Sequence, residues 1–274
     1  MAEDQNISDR LDPDELSSRL GTKIIGREIH VYRETASTND IAWQFATEAR
    51  EGVSIFAEAQ SQGRGRRGRT WIDSDGKCLL MSTVVMPGLP AEDFNVLTVL
   101  GAVAVCQTLQ DSCGLRPTIK WPNDVIVSGK KICGILVETR QDDNKAPGTF
   151  VIGIGLNVNL TREQLPKILR DHATSISMEL GEEIERTKSA RQLLRNLDSL
   201  YGNVKAGDLA DLEQKWKKLC LTGGEFLTLE QSGKTYRGRV HDLDLRDGLI
   251  LQLDSGVLKS FRGEHVSVVP DIEI

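Results

Sequence analysis

The order of apolar and polar positions divides the chain into two regions. In the first, short apolar runs bounded by glycine, proline and small polar residues predict strands. They are Ile29-His-Val-Tyr32, Val53-Ser-Ile-Phe-Ala57, Cys78-Leu-Leu-Met-Ser-Thr-Val-Val85, Thr118-Ile-Lys120, Val125-Ile-Val127, 132–138 and 149–159. A turn at Ser128-Gly-Lys-Lys131 makes a hairpin of the fifth and sixth. Helical patterns lie between and after them. Residues 13–20 fit one short helix, and Ile41-Ala-Trp-Gln-Phe-Ala46 opens another. Residues 91–113 are apolar nearly all round, which predicts a buried helix stopped by Gly114. Residues 160–218 read as helical, with a stripe at Leu193, Leu194, Leu197, Leu200 and Tyr201. Gly223-Gly224 breaks that pattern, and five short strands follow, at 226–229, 235–240, 249–253, 257–261 and 266–269. Five strands in so short a stretch predict a small β-barrel of the SH3-like kind.

The expected class is therefore α+β: a mixed β-sheet packed with helices, followed by a small SH3-like β-barrel. The expected divisions are an extension at 1–27, a main domain at 28–220 and the barrel at 221–274.

Charge changes this picture locally. The 274 residues carry a net charge of -6, and aromatic residues are 5% of the chain. Both argue against general nucleic-acid binding. Yet Gly63-Arg-Gly-Arg-Arg-Gly-Arg69 concentrates four arginines among three glycines, between two predicted strands. Glycine lets backbone N–H groups approach a ligand, and arginine offers planar forks of donors for phosphate or carboxylate. Such a loop is expected to be mobile when empty and ordered around an anion. A flexible surface loop, or an RG-type nucleic-acid contact, is the competing reading. The five cysteines form no CxxC pair and the four histidines no metal-ligand spacing, so reduced, buried thiols and no structural zinc are expected. The N-terminus lacks a signal-peptide pattern, and no run of 18 apolar residues exists. A cytoplasmic protein without a membrane span is the expectation.

Three further segments admit chemistry. Ser37-Thr-Asn-Asp40 suits a helix cap, and equally a pocket wall of hydroxyl and amide groups. Lys120 sits within an apolar strand. It either snorkels to water or meets an anion in a pocket. Gly153 and Gly155, two apart on a strand, bare one face of a sheet. They mark either a slot for a flat ligand or a bulge.

Five segments stand together in order: Ser37-Thr-Asn39, Gln60 with Gly63–Arg69, Lys120-Trp-Pro-Asn-Asp124, Gly134-Ile-Leu-Val-Glu138 and Gly153-Ile-Gly-Leu-Asn-Val158. In this combination, over residues 28–160, the chain resembles the biotin protein ligases, with their class II aminoacyl-tRNA synthetase-like catalytic domain. The resemblance implies joining of biotin to ATP as biotinyl-5′-adenylate, then transfer to a lysine of a biotin carboxyl carrier protein. It implies Lys120 and Arg66 as catalytic cations. It places Ser37, Thr38, Asn39, Gln60, Arg64, Gly65, Arg66, Lys120, Gly134, Gly153 and Gly155 at biotin. It places Arg64, Arg66, Arg67, Arg69, Trp71, Asn123, Lys131 and Asn157 at the nucleotide. Mg²⁺ is implied with the triphosphate, its ligands unassigned. A homodimer built through the sheet is allowed by analogy. About 28 residues precede the first main strand, too few for the DNA-binding domain of some relatives, so no operator binding is expected. Val268 and Val269 stand where some relatives have an arginine near the nucleotide. Lipoate ligases, which share the adenylation logic, are the nearest rival, and an RG-loop nucleic-acid module is the rival from another class.

Overall fold

The computed structural model describes residues 9–46, 50–90, 93–140, 148–220, 225–263 and 266–269. Seven strands form the first sheet: β1 (Glu28–Thr35), β2 (Val53–Gln60), β3 (Cys78–Val85), β4 (Thr118–Lys120), β5 (Asp124–Val127), β6 (Lys130–Thr139) and β7 (Phe150–Asn157). Their order is β1-β2-β3-β7-β6-β5-β4. β1 runs parallel to β2, and the other neighbours are antiparallel. The mixed sheet is as expected from the apolar runs.

The two faces of this sheet do different work. Phe56, Val85, Ile152 and Ile135 point to the larger core. There they meet α3 (Asn95–Cys113) and α5 (Arg186–Lys205). α3 is buried on every side through its first three turns, matching its largely apolar sequence. Each fully buried Leu or Val contributes about 1.5–3 kcal/mol, so this face dominates the stability. By length and hydropathy alone α3 could cross a bilayer, but here it is the central helix of the core. It ends at Gly114, which takes the left-handed conformation at φ 64°.

The opposite face carries α2 (Thr38–Ala46), whose buried Asn39, Ala42, Trp43 and Ala46 follow helical spacing. They pack on Ile55, Val84 and Val151. At the Cys78 end of β3, Cys78 and Leu80 of this face pack against Leu160, Leu165 and Met178. The register explains what is exposed on this face: Gly134 pairs with Gly155, Leu136 with Gly153, and Glu138 with Val151. Directly paired residues share a face, so three glycines form a bare floor.

Three expectations need correction. The first helix, α1 (Pro13–Ser17), stops short of residue 20, since Arg19 turns to a left-handed backbone at φ 49°. α3 begins at Asn95, and Ala91 lies outside the described residues. Residues 160–175 are not helical. They form an irregular segment with one 3₁₀ turn at Lys167–Leu169, followed by α4 (Ile176–Leu180). Pro166 and the polar side chains explain this: Gln164 accepts from the Thr161 N–H at 2.9 Å, and Arg162 binds the Arg170 carbonyl and Asp171, both at 2.8 Å. Such local bonds compete with a helix. The Ser175 side chain then caps α4.

The extension is anchored through a buried cation. Arg186, at the start of α5, binds Asp9 at 2.9 Å and Glu58 of β2 at 2.7 Å. Burial opposes its charge, yet the bonds to Glu58 and Asp9 outweigh this and leave its pKa raised. After α6 (Ala210–Leu219) the second sheet comprises β8 (Phe226–Gln231), β9 (Lys234–Asp244), β10 (Gly248–Leu253), β11 (Leu258–Phe261) and β12 (Val266–Val269). Gly223-Gly224 lie outside the described residues. The order β11-β10-β9-β8-β12 is antiparallel throughout, the small β-domain expected.

Candidate active site

A cavity of about 410 Å³ opens over the glycine floor. Every residue that the resemblance placed at biotin or the nucleotide lines it, from Ser37 to Asn157. Its walls differ in chemistry from end to end.

One end is neutral and polar. Ser37 immediately precedes α2, and its carbonyl accepts the Asp40 N–H at 3.1 Å. The Thr38 side chain does not cap the helix. Its N–H and hydroxyl both donate to Gln60 Oε1, at 2.8 and 3.1 Å. Ser82 Oγ lies 2.6 Å from Thr38 Oγ1 and 2.5 Å from Asn39 Oδ1, and its single hydrogen serves one at a time. Asn39 is 3% exposed, and its Nδ2 has no hydrogen-bond partner among the described residues. A buried amide donor left open costs stability. Gly153 makes room for it, because a Cβ there would lie 2.4 Å from Asn39 Oδ1. Asp73 orients Gln60 by accepting its N–H at 2.9 Å.

The other end is cationic. Residues 63–71 fold back on themselves: Arg64 bridges Thr70, and the Trp71 N–H donates to the Gly63 carbonyl at 2.9 Å. The loop lies closed over the floor. Arg67, at its tip, holds a left-handed φ of 56°, a strained setting for a non-glycine residue. Arg66 donates to Asn123 Oδ1 at 2.9 Å and to the Gly263 carbonyl of the second sheet. Asn123 is fixed in turn by donating to the Ile135 carbonyl at 2.9 Å. Across the cavity Lys120 is exposed and makes no hydrogen bond or ion pair with the described residues. Lys131 pairs with Asp124 at 2.6 Å and stands 5.6 Å from the Trp71 ring centre. The Trp71 ring rests on the floor, where a Cβ on Gly155 would come within 2.5 Å of it.

Two expected residues have further duties. Asn157 is 4% exposed and donates to the Thr174 carbonyl at 2.9 Å, tying the irregular segment to β7. The Arg64 guanidinium is taken up by Asp40. Several lining residues escaped the sequence reading. Leu165, Leu169, His172 and Ala173 come from the segment misread as helix, and Val266 from β12, where Val268, singled out in the sequence without a role, also lines the cavity. Ser82 carried no signal inside an apolar strand.

In this cavity a neutral hydrogen-bonding end and a cationic end share one glycine floor. Residues 31–157 match the model of the biotin/lipoate A/B protein ligase family. The bifunctional ligase/repressor BirA of Bacillus subtilis is 30% identical over 93% of this chain and 78% of its own length. The biotin--[acetyl-CoA-carboxylase] ligase of Mycobacterium tuberculosis is 30% identical over 94% of this chain and 97% of its own. Among solved structures, the biotin protein ligase from Aquifex aeolicus in complex with biotin and ATP superposes with a TM-score of 0.75, at 23% identity, over 89% of this chain and 99% of that one. The chain belongs to the biotin/lipoate A/B protein ligase family, and within it to the biotin protein ligases.

Proposed function

We propose that this ligase activates biotin with ATP to biotinyl-5′-adenylate and passes the biotinyl group to one lysine of a biotin carboxyl carrier protein. The observation that carries the reading is the polarity of the one cavity. The open Asn39 donor and the Ser37–Thr38–Gln60 hydroxyl and amide groups suit a neutral ureido ring. The uncompensated Lys120 ammonium, lining the same cavity as Arg66, suits two anions that must meet. A biotin carboxylate oxygen attacks the α-phosphorus, and the bond to pyrophosphate breaks. The acceptor lysine, as free amine, then attacks the acyl carbon; AMP leaves and the amine proton is lost. Lys120 and Arg66 offset the repulsion in the first step and stabilise its transition-state charge. The closed loop keeps water from the mixed anhydride.

The implied Mg²⁺ finds no cage. Among the described residues no group of three His, Cys, Asp or Glu can hold a metal, and Asp124 is engaged by Lys131. Mg²⁺ commonly binds through phosphate and water instead, and no step here is routed through it. The carrier protein, a cytoplasmic location and a homodimer belong to the same proposal. The test supplies ATP with biotin or lipoate, and then a carboxyl-carrier domain. Pyrophosphate release and a biotinyl mass shift on one acceptor lysine are expected with biotin. Use of lipoate alone would replace the reading with its rival.

A further inference from the structure

Arg64 is the first arginine of the loop, yet its charge is already met. Its Nη1 and Nη2 lie 2.7 and 2.8 Å from the two Asp40 oxygens, a bidentate pair. Glu138 of β6 stands behind, its Oε1 3.3 Å from Nη2 and 3.4 Å from Nε. Both carboxylates are themselves held. Trp43 Nε1 donates to Glu138 at 3.1 Å, and Arg140 stands 3.7 Å from Asp40 and over the Trp43 ring. The Arg64 hydrogen bond keeps the Asp40 carboxyl below the usual range, so the pair is charged near neutral pH. Bidentate arginine–carboxylate pairs fix geometry as well as adding energy.

The placement couples two parts of the site. Asp40 follows Asn39 directly, so the first turn of α2 both presents the open amide and grips the loop. The loop is anchored on the opposite wall by Arg66. We propose that Asp40, backed by Glu138, is a latch that holds the glycine–arginine loop shut through Arg64, so that Arg64 positions the lid instead of binding a substrate anion. The inference rests on the ligase reading for its consequence: this rim ion pair sets how long the activated intermediate stays bound.

The test compares the parent with Asp40→Asn, Arg64→Gln, the double variant and Asp40→Glu. Trypsin cleavage of the Arg67–Gly68 bond is followed in the empty protein, and biotinyl-5′-AMP dissociation in the loaded one. A single exposed pair is worth little, but a bidentate pair within a network is worth more. Both rates should rise about three- to tenfold in each single variant, rise no further in the double variant, and return toward the parent in Asp40→Glu. Unchanged cleavage in Asp40→Asn overturns the latch, and this arm needs no substrate. Additive losses in the double variant, with a higher KM for biotin or ATP from Arg64→Gln alone, overturn it too, because Arg64 would then bind substrate. If the parent releases no pyrophosphate from biotin and ATP, the ligase reading fails, while the cleavage arm still decides whether Asp40 closes the loop.

Discussion

Lys120 has no side-chain partner among the described residues, whereas three other cations of the cavity do. Arg64 answers Asp40, Arg66 answers Asn123 and Gly263, and Lys131 answers Asp124. A charge without a local counter-charge acts in full on a substrate anion. Lys120→Ala is expected to slow adenylate formation by about 10²–10³-fold, the scale of losing one transition-state donor, as read by pyrophosphate release. Asp73 makes the opposite case. Burial lifts its carboxyl above the ordinary value of 3.8, and Asp75 and Glu34 add repulsion. The unfolded chain therefore loses this proton at a lower pH than the native chain does. Stability falls as pH rises between those two values, and the cost persists at neutral pH. Asp73→Asn keeps an oxygen for the Gln60 N–H and removes the cost. Its urea midpoint at pH 7 should exceed that of the parent, with the gain disappearing below the ordinary carboxylate range.

At the scale of elements, β6 and β7 matter for what they omit. Gly134, Gly153 and Gly155 leave a floor on which the Trp71 indole and the Asn39 amide lie in van der Waals contact. One methyl added by Gly155→Ala would fall 2.5 Å from the indole. Overpacking of this kind costs about 1–3 kcal/mol unless the loop lifts. Either lower stability or red-shifted Trp71 emission is expected, together with a higher KM for ATP. If stability and emission both stay at parental values, Trp71 does not rest on that glycine. The glycines were legible in the sequence because strand periodicity alone puts 153 and 155 on one face. Their occupants were not, since Asn39 and Trp71 reach them only through tertiary packing. The same divide runs through the rest of the chain. The apolar strands and α3 could be read because burial imposes a pattern on consecutive residues. The 160–175 segment was misread because its shape comes from local polar bonds and Pro166, which leave no period. The Asp40–Arg64 pair, joining residues 24 apart, leaves none either.

Across the whole molecule, the loop is one of the places where the C-terminal β-domain meets the first sheet; the Asn95 side chain, which donates to the Leu245 carbonyl at 2.9 Å, marks another. Arg66 reaches past Asn123 to the Gly263 carbonyl, and Val266 and Val268 of β12 line the same cavity. Val268 thus gains a wall position that the sequence left without a role. Gly263 can sit so close because it has no side chain: a Cβ there would lie 2.6 Å from Pro122 Cβ and 3.8 Å from the Trp121 ring. Pro122 is part of the turn between Lys120 and Asn123, so it cannot yield without moving both. Gly263→Val should therefore push the second sheet off this turn and take the carbonyl from Arg66. Trp121, Phe261 and Val266 belong to the core that includes α3, so the urea midpoint of the variant is measured first, and a native-like value shows that the loss is confined to the contact. Biotin affinity should change little, since Ser37, Thr38 and Asn39 are on the far wall, whereas the KM for ATP should rise and the adenylate should dissociate faster, by about tenfold if one charge-assisted bond of about 1.5 kcal/mol is lost. Isothermal titration with biotin, set beside pyrophosphate-release kinetics, separates these effects. Equal losses for both substrates would mean that the second sheet supports the fold as a whole and has no particular hold on the loop.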